Sequence, residues 1–329
     1  MSATLWNCDG IPGMAEHLEP DSCDLCITSI PFGALFMYSG KPEDVGNNQD
    51  GTDMRAGGFG LHMRFWVEQL LRVMKPGCNV CIHIQQLLRY QNQHGYMGRR
   101  DFRGAVIELC CAGGLEYRGE MVIPKNPQVA AKRLSLHSLQ FMTGHSRNAR
   151  DLSPWVNDYV LQFQKPGKAT PVLCLRHHQK NPNGWVTQEE WIRDAHGVWT
   201  DIRETDVLDG WKSARETDEE KHVCPLQLEV IRRCIRLWTN PGELVLDPYM
   251  GIGSTAYVAI EQGRESIGFE LKESYYEQAL RNVKLAERRI AEAGSMPLFD
   301  AQEEEERLPP RTSVSESELT READMKAAI

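Results

Sequence analysis

Apolar residues recur along the chain at two alternating spacings. Short apolar runs closed by turn residues are typical of buried strands, and apolar residues three and four positions apart are typical of helices. The predicted strands lie at 23–28, 78–84, 115–123, 157–163, 243–247 and 265–270. The predicted helices lie at 61–74, 101–111 and 225–238, followed by a last helix that carries Tyr276, Leu280, Val283 and Ile290. This alternation predicts an α/β fold in which helices cover both faces of a mostly parallel sheet.

Two segments lack this regularity. Residues 168–220 have no clear helical or strand spacing, and we expect them to be loop-rich. From residue 300 onward the chain is polar and almost free of large apolar side chains, which is typical of disorder. We therefore expect a disordered tail over 296–329.

Composition limits the class of protein. The chain has 329 residues, of which 41% are apolar, and such a chain can bury a core without disulfides or metals. It has no apolar run of about 18 residues that could span a membrane, and its first residues do not resemble a signal peptide. We expect a soluble, cytoplasmic protein whose ten cysteines are reduced thiols.

The formal net charge of −9 argues at first against a nucleic-acid partner, because phosphate contacts need Lys and Arg. The charge is unevenly distributed, however. Residues 300–329 contain nine acidic and four basic residues, a net charge of −5. Residues 118–150 have a net charge of +5, and residues 89–103 one of +3. The basic stretches form either a solvated face or a site for a polyanion.

One segment combines a strand, a glycine loop and a helix start. Gly251, Gly253 and Ala256 satisfy the pattern G-x-G-x-x-[GA], and the next predicted strand ends in Glu270. These residues fit a dinucleotide site, in which the acidic side chain binds ribose hydroxyls, and also an ordinary tight turn. Because only one helix and the tail follow Glu270, the other strands of the sheet must precede Asp247. This order disfavours NAD or FAD as the ligand.

Four motifs, in this order along the chain, resemble those of the amino-methylating DNA methyltransferases with a permuted motif order. Asn7-Cys8-Asp9-Gly10 resembles their short opening acidic motif, and Ser29-Ile30-Pro31-Phe32 resembles their catalytic [DNS]-P-P-[YFW] tetrapeptide. Residues 247–255 (DPYMGIGST) resemble the cofactor loop D-P-F-x-G-x-G-T, and residues 267–270 resemble the acidic strand end that follows it. The resemblance covers about residues 1–125 and 220–290.

The resemblance implies a Rossmann-like fold that binds S-adenosylmethionine, with a circularly permuted sheet of about seven strands. Glu270 would contact the ribose, and Asp9 would lie near the adenine edge. The implied cofactor-binding residues are Asp9, Asp247, Pro248, Tyr249, Gly251, Gly253, Ser254, Thr255 and Glu270.

The resemblance also implies methylation of an exocyclic amine on a base flipped out of DNA. Such an amine is a poor nucleophile because its lone pair is conjugated with the ring, and hydrogen-bond acceptors aimed at its N–H groups favour the reactive geometry. Ser29 and the Ile30 carbonyl would accept these bonds, Phe32 would stack on the base, and Pro31 would hold the base together with them. A serine in the first position favours cytosine N4 slightly over adenine N6.

Two departures from the family pattern stand out. Ile30 replaces the first proline, which removes a fixed backbone angle and predicts a less preorganised turn. Residues 221–225 (KHVCP) stand where the family often has a Lys-Pro pair.

The resemblance divides the chain into four segments. A catalytic half (1–125) and a cofactor half (221–295) would flank a target-recognition region (126–220) that includes one core strand, and the acidic tail (296–329) would follow. DNA is the expected partner, no membrane is expected, and a homodimer is left open. The expected DNA contacts are Lys125, Lys132, Arg133, Arg147 and Arg150.

Other functions remain open at this stage. The same amine chemistry could act on RNA or protein, the chain could be a catalytically silent DNA-binding homologue, and an NAD-dependent oxidoreductase is the least favoured interpretation. The spacings Cys23-x-x-Cys26 and Cys78-x-x-Cys81 occur in zinc sites. Both pairs fall in predicted buried strands, so we expect no metal.

Overall fold

The computed structural model describes residues 2–32, 58–89, 92, 95–96, 98–128, 157–210 and 225–295. The chain divides into a compact unit, Met1–Arg288, and a second unit, Arg289–Ile329. None of the helices within the described ranges is long and apolar enough to cross a membrane.

The described residues form nine strands and seven helices. The strands are β1 (Ala3–Trp6), β2 (Cys23–Ser29), β3 (Met74–Gln85), β4 (Leu87–Arg89), β5 (Gly98–Arg100), β6 (Glu116–Ile123), β7 (Asp158–Gln164), β8 (Leu244–Asp247) and β9 (Glu265–Phe269). The helices are α1 (Gly10–His17), α2 (Gly58–Val73), α3 (Phe102–Ala112), α4 (Gln188–Asp194), α5 (Leu228–Trp238), α6 (Ser254–Glu261) and α7 (Glu273–Ser295).

Seven strands form one sheet in the order β1-β9-β8-β2-β3-β7-β6, and β4 and β5 form a separate hairpin. The pairs from β1 to β3 are parallel, whereas β7 is antiparallel to both of its neighbours. The predicted α/β fold with a mostly parallel sheet of about seven strands is confirmed. The permutation is visible as well, because the glycine-loop strand β8 comes late in the chain but lies near the centre of the sheet.

Helices cover both faces of the sheet. Trp66 of α2 and Phe102 of α3 are fully buried in the core on one face. Ile231 of α5 and Val258 of α6 are fully buried in the core on the other. Parallel strands buried in this way are apolar along both faces, which explains why their sequences are continuous apolar runs.

All the parallel strands end at one edge of the sheet. Because β7 runs the other way, its first residue lies at the same edge, where Asp158 pairs with Gln85 of β3 and Ile123 of β6. Ligands of open α/β sheets bind outside the carboxyl ends of the strands. We therefore expect a ligand site at this edge, which we call the carboxyl edge.

One local expectation needs correction. The strand predicted at 78–84 begins earlier, because residues 75–77 are part of β3, which starts at Met74, the residue that pairs with Cys23. In the region 168–220, which was expected to be loop-rich, the described residues 168–210 contain the short helix α4 and are otherwise turns, isolated bridges and irregular segments. Its signal was present in the sequence, since Thr187 and Glu190 form a capping box with two reciprocal hydrogen bonds.

Candidate active site

The glycine loop leaves β8 at the carboxyl edge and leads into α6. Gly251 has a φ angle of +53°, and a Cβ added to it would meet nothing within 4 Å. Gly253 has a φ angle of +84°, and its Cβ would lie 3.0 Å from the Cβ of Ala279. Glycine thus allows the left-handed turn at both positions. The loop backbone at Gly251 borders open space, beside the N-terminus of a helix that favours electronegative groups.

Asp247 supports this loop from inside the protein. Its Oδ2 accepts a hydrogen bond of 2.7 Å from the Thr255 hydroxyl, and its Oδ1 accepts one of 3.2 Å from the Tyr249 amide. Burial raises the pKa of Asp247 to about 6, although these hydrogen bonds favour its ionised form. Asp247 thus fixes the turn between β8 and α6, and the adjoining Ser254 and Thr255 are also buried.

Glu270 lies directly after β9, next to the glycine loop. Its Oε2 accepts a hydrogen bond of 2.9 Å from the Gly251 amide, and its Oε1 accepts one of 2.8 Å from the Lys272 amide. Asn7 donates to the Glu270 carbonyl at 2.8 Å. The carboxylate is therefore oriented by backbone amides at the border of the loop.

The opening acidic motif packs against the same loop. Asp9 caps α1, where its carboxylate accepts a hydrogen bond of 3.0 Å from the Ile11 amide. The neighbouring Gly10 approaches the loop so closely that an added Cβ would lie 2.3 Å from the carbonyl oxygen of Pro248. Two motifs separated by more than 200 residues in the sequence thus meet at one edge.

Tyr249 lies inside this junction. Its ring stacks on Trp66 with centroids 6.0 Å apart, and burial raises the pKa of its phenol. Within the described part of the chain, its buried hydroxyl has no hydrogen-bond partner.

The tetrapeptide that begins at Ser29 ends β2, the strand next to β8. The register Leu25–Val245 and Cys26–Leu246 aligns the two strands. The tetrapeptide and the glycine loop therefore leave neighbouring strands at the same edge.

Two side chains of the tetrapeptide are anchored by packing. Ile30 is 2% exposed and belongs to the apolar core, so it packs where the family pattern has a proline. Phe32 packs edge-to-face on Phe102, with ring centroids 6.0 Å apart.

Ser29 is the first member of a buried polar network that the sequence did not reveal. Its Oγ lies 3.2 Å from Nδ1 of His83, and Nε2 of His83 lies 3.2 Å from Oδ2 of Asp158. The Lys125 ammonium lies 2.7 Å from the same oxygen of Asp158. His83 interrupts an apolar strand and Asp158 opens another, but only the pairing of β3 with the distant β7 brings the two together.

Lys125 is therefore corrected as a candidate DNA contact. Its side chain is 5% exposed and is paired with a carboxylate, so it is not available to a phosphate. The other expected DNA contacts lie outside the described residues: Lys132, Arg133, Arg147 and Arg150.

Basic residues are present in the hairpin that follows β3. The register of β4 and β5 pairs Leu87 with Arg100 and Arg89 with Gly98. Burial lowers the pKa of Arg100, and the positive charge of the nearby Arg89 lowers it further. The two cations therefore repel each other. In the described ranges, no carboxylate forms an ion pair with Arg89 or Arg100.

The structure does not suggest a metal centre. Among the described residues, no group of three or more His, Cys, Asp or Glu side chains could hold a metal ion. Cys23, Cys26 and Cys81 are buried in β2 and β3, and burial raises the pKa of Cys23 to about 11.

Sequence comparison finds relatives among the type II DNA methyltransferases. The chain is 29% identical over 229 residues to M.MjaI of Methanocaldococcus jannaschii, a match that covers 68% of this chain and 67% of that protein. It is 36% identical over 99 residues to M1.MboII of Moraxella bovis, which covers 30% of this chain and 34% of that protein. A match to M.MthZI of Methanothermobacter thermautotrophicus likewise spans only 32% of that protein's length.

Solved structures share the fold at low sequence identity. The TTHA0409 protein of Thermus thermophilus, complexed with S-adenosyl-L-methionine, superposes with a TM-score of 0.60 at 18% identity, over 86% of this chain and 94% of that one. The cytosine-N4-specific PvuII DNA methyltransferase superposes with a TM-score of 0.56 at 14% identity, over 89% and 93% of the two chains. The DNA methylase family model (N6_N4_Mtase) matches residues 23–281. This match extends over most of the chain, which therefore belongs to the DNA methylase family of N6- and N4-methyltransferases.

Proposed function

We propose that this protein transfers a methyl group from S-adenosylmethionine to an exocyclic amine of a base flipped out of DNA, with cytosine N4 favoured over adenine N6. The observation that carries the proposal is the position of Ser29-Ile30-Pro31-Phe32 at the end of β2, beside the strand that leads into the glycine loop. A methyl donor on the loop and an amine on the tetrapeptide would meet at the carboxyl edge.

The residues around the loop fit this cofactor. Open space borders Gly251, and the Glu270 carboxylate stands beside it, where two ribose hydroxyls could donate to its oxygens. Asp9 reaches the same region through the contact of Gly10 with Pro248. The cofactor supplies a methyl group on a positively charged sulfur, and the protein residues hold and orient the acceptor.

The tetrapeptide supplies two acceptors for the amine. The Ser29 hydroxyl and the Ile30 carbonyl would each accept one N–H, which directs the nitrogen lone pair toward the methyl carbon. The buried Ile30 side chain fixes the position of its own carbonyl, so packing substitutes for the missing proline ring. Phe32, supported by Phe102, would stack on the base.

The hairpin arginines are suited to the DNA backbone. Arg89, Arg99 and Arg100 follow β3, whose last residues lie at the carboxyl edge beside Ser29. Partly desolvated cations that repel one another gain stability when phosphates lie between them. We therefore assign the DNA backbone to this hairpin in place of Lys125.

Methyl transfer is tested by incubating the protein with methyl-labelled S-adenosylmethionine and, separately, duplex DNA, RNA and a protein extract. We expect label in DNA alone, and a loss of about 100-fold or more in the Ser29→Ala variant, because preorganised acceptors of this kind contribute that much to rate. Cofactor binding to both proteins serves as the folding control. Label in RNA or protein but not in DNA would contradict the proposed substrate, and binding of DNA and cofactor without product would indicate a silent homologue.

A further inference from the structure

The network behind Ser29 is built as a chain of alternating partners. His83 is 8% exposed and Asp158 is 5% exposed, and they connect the Ser29 hydroxyl to the Lys125 ammonium over three contacts of 3.2, 3.2 and 2.7 Å. Ser29 ends β2 and Asp158 begins β7, whereas His83 lies shortly before the end of β3 and Lys125 shortly after the end of β6. Strand pairing fixes their positions, since Ser29 pairs with His83 and Asp158 pairs with Gln85 and Ile123.

The charge state of Asp158 follows from these contacts. Burial alone would raise the pKa of Asp158, but the hydrogen bond and charge of His83 and the charge of Lys125 lower it further than burial raises it. Asp158 is thus ionised at neutral pH and can only accept hydrogen bonds. Two cationic or potentially cationic groups therefore share one carboxylate in a site almost closed to water.

An ionised Asp158 determines the direction of its bond with His83. Nε2 of His83 must carry the proton that is donated to Asp158, and in the neutral ring Nδ1 then has a free lone pair. The Ser29 hydroxyl then donates its hydrogen to Nδ1. A hydroxyl that donates its hydrogen to His83 keeps its lone pairs, which makes it an acceptor for an amine.

We propose that His83, oriented by Asp158, turns Ser29 into an acceptor for the target amine and receives, through Ser29, the proton that the amine loses. The inference rests on the proposed function. His83 acts through Ser29 and is therefore a positioning and proton-accepting residue that does not touch the base.

The proton balance requires such an acceptor. The amine nitrogen forms a bond to the methyl carbon while the carbon–sulfur bond breaks and leaves its electron pair on sulfur, so the nitrogen becomes positively charged. It then releases one proton to the Ser29 oxygen, and the hydroxyl proton of Ser29 moves to Nδ1 of His83. The resulting imidazolium lies against Asp158, which stabilises its charge, and its proton passes to water after the product leaves.

The test is the pH dependence of the methyl-transfer rate in a single turnover with DNA and S-adenosylmethionine already bound. The wild-type rate should fall on the acidic side, because a protonated His83 donates to Ser29 and cannot accept from it. Among the described residues, the charged groups of the network around His83 are Asp158 of β7, which contacts the ring, and Lys125 after β6, which contacts Asp158. Asparagine can still accept from Ser29 but takes no proton, so H83N should lose the acidic limb and about 100-fold in rate, within the range of general-base catalysis.

Two charge variants separate this role from a purely structural one. D158N removes the anion beside the imidazolium and should move the acidic limb to lower pH, whereas K125M removes the cation that competes for Asp158 and should move it to higher pH. Circular dichroism and cofactor binding verify that the variants fold. If the wild type is active and H83N has the same rate and pH profile, the proposed proton transfer to His83 is wrong. It is also wrong if the acidic limb moves in the same direction in both charge variants. Either result would leave the proposed function intact. Absence of methylation by the wild type would overturn both.

Discussion

At the scale of single residues, the site depends on carboxylates whose environments differ. Asp158 is buried beside His83 and the Lys125 ammonium and has a lowered pKa, whereas Asp247 is buried among neutral donors and has a raised pKa, of about 6. The same side chain thus serves as a fixed anion in one place and as a loop support close to protonation in the other. Neighbouring charge, more than burial, makes the difference.

The raised pKa of Asp247 predicts a measurable dependence of stability on pH. Between about pH 4 and pH 6 the folded chain binds a proton that the unfolded chain has already released, so acidification through this range stabilises the fold at this site. Relative to Asp247→Asn, the wild type should therefore gain up to about 3 kcal/mol as the pH falls from 7 to 4. Denaturant unfolding of both proteins at several pH values measures the difference, in which the contributions of all other carboxyls cancel. A difference that is constant with pH would contradict the assignment.

At the scale of elements, the glycine loop and the turn before β8 offer a matched pair of substitutions. Gly251 and Gly242 have φ angles of +53° and +78°, and an added Cβ would meet nothing within 4 Å at either position. Alanine should therefore cost a similar amount at both, about 1 kcal/mol of folding free energy. Only Gly251→Ala should weaken S-adenosylmethionine binding, by about tenfold or more, because a methyl group and a shifted amide would enter the pocket. Equal cofactor affinity in the two variants, measured by calorimetry, would show that the loop does not border the ligand.

Another element-level prediction concerns the contact between α4 and α5. Arg233 is 1% exposed and lies 3.3 Å from Asp194 and 3.2 Å from Glu229, and it also pairs with Asp201. Arg233→Met should destabilise the fold by about 2 kcal/mol, because it removes charge-assisted bonds to the fully buried Asp194, for which Arg193 and Arg236 remain as partners. Arg281→Met, which breaks an exposed pair with Glu277, should cost less than about 0.5 kcal/mol. Thermal and denaturant unfolding compare the two, and similar losses would contradict the account.

The elements were largely predictable from the sequence, because buried strands and amphipathic helices have distinct spacings. The first and last residues of the elements were less predictable. Strand β3 begins before Pro76 and Gly77 and includes both, because its pairing with β2 outweighs the local preference for a turn. The motif residues Ser29, Gly251 and Glu270 were singled out from short local motifs and their resemblance to a family, and their roles stay predictions. His83 and Asp158 were missed, because their role arises from the pairing of strands that are 75 positions apart and no local pattern records it.

At the scale of the whole molecule, charge distribution matters more than net charge. The acidic total of −9 includes −5 from residues 300–329, whereas the described hairpin concentrates arginines near the active-site edge. The average therefore conceals a local concentration of positive charge.

Salt dependence tests this distribution. Replacing Arg89 and Arg100 by glutamine should weaken DNA binding and reduce the slope of log K against log salt by about two, one for each lost phosphate contact. Arg118→Gln provides an exposed control on β6 and should leave the slope unchanged. Fluorescence anisotropy at several salt concentrations measures both slopes, and an equal slope in all three proteins would exclude the hairpin from the interface.

Removal of the acidic tail is a separate whole-molecule test. Deleting residues 300–329 should strengthen DNA binding at low salt, because it removes a net charge of −5 that repels phosphates. The effect should vanish at high salt, where the repulsion is screened. Affinity that is unchanged at low salt would show that the tail does not shield the site.

The most direct test of the central claim is mass spectrometry of nucleosides from the DNA of a methylation-deficient host that expresses the protein. DNA from the host with the wild-type protein should contain N4-methylcytosine, and DNA from the host with Ser29→Ala should contain none. Detection of N6-methyladenine would agree with the proposed mechanism but would show that the target base is adenine. A folded, cofactor-binding wild type that leaves no methylated nucleoside, or a Ser29→Ala variant that leaves as much as the wild type, would contradict the account.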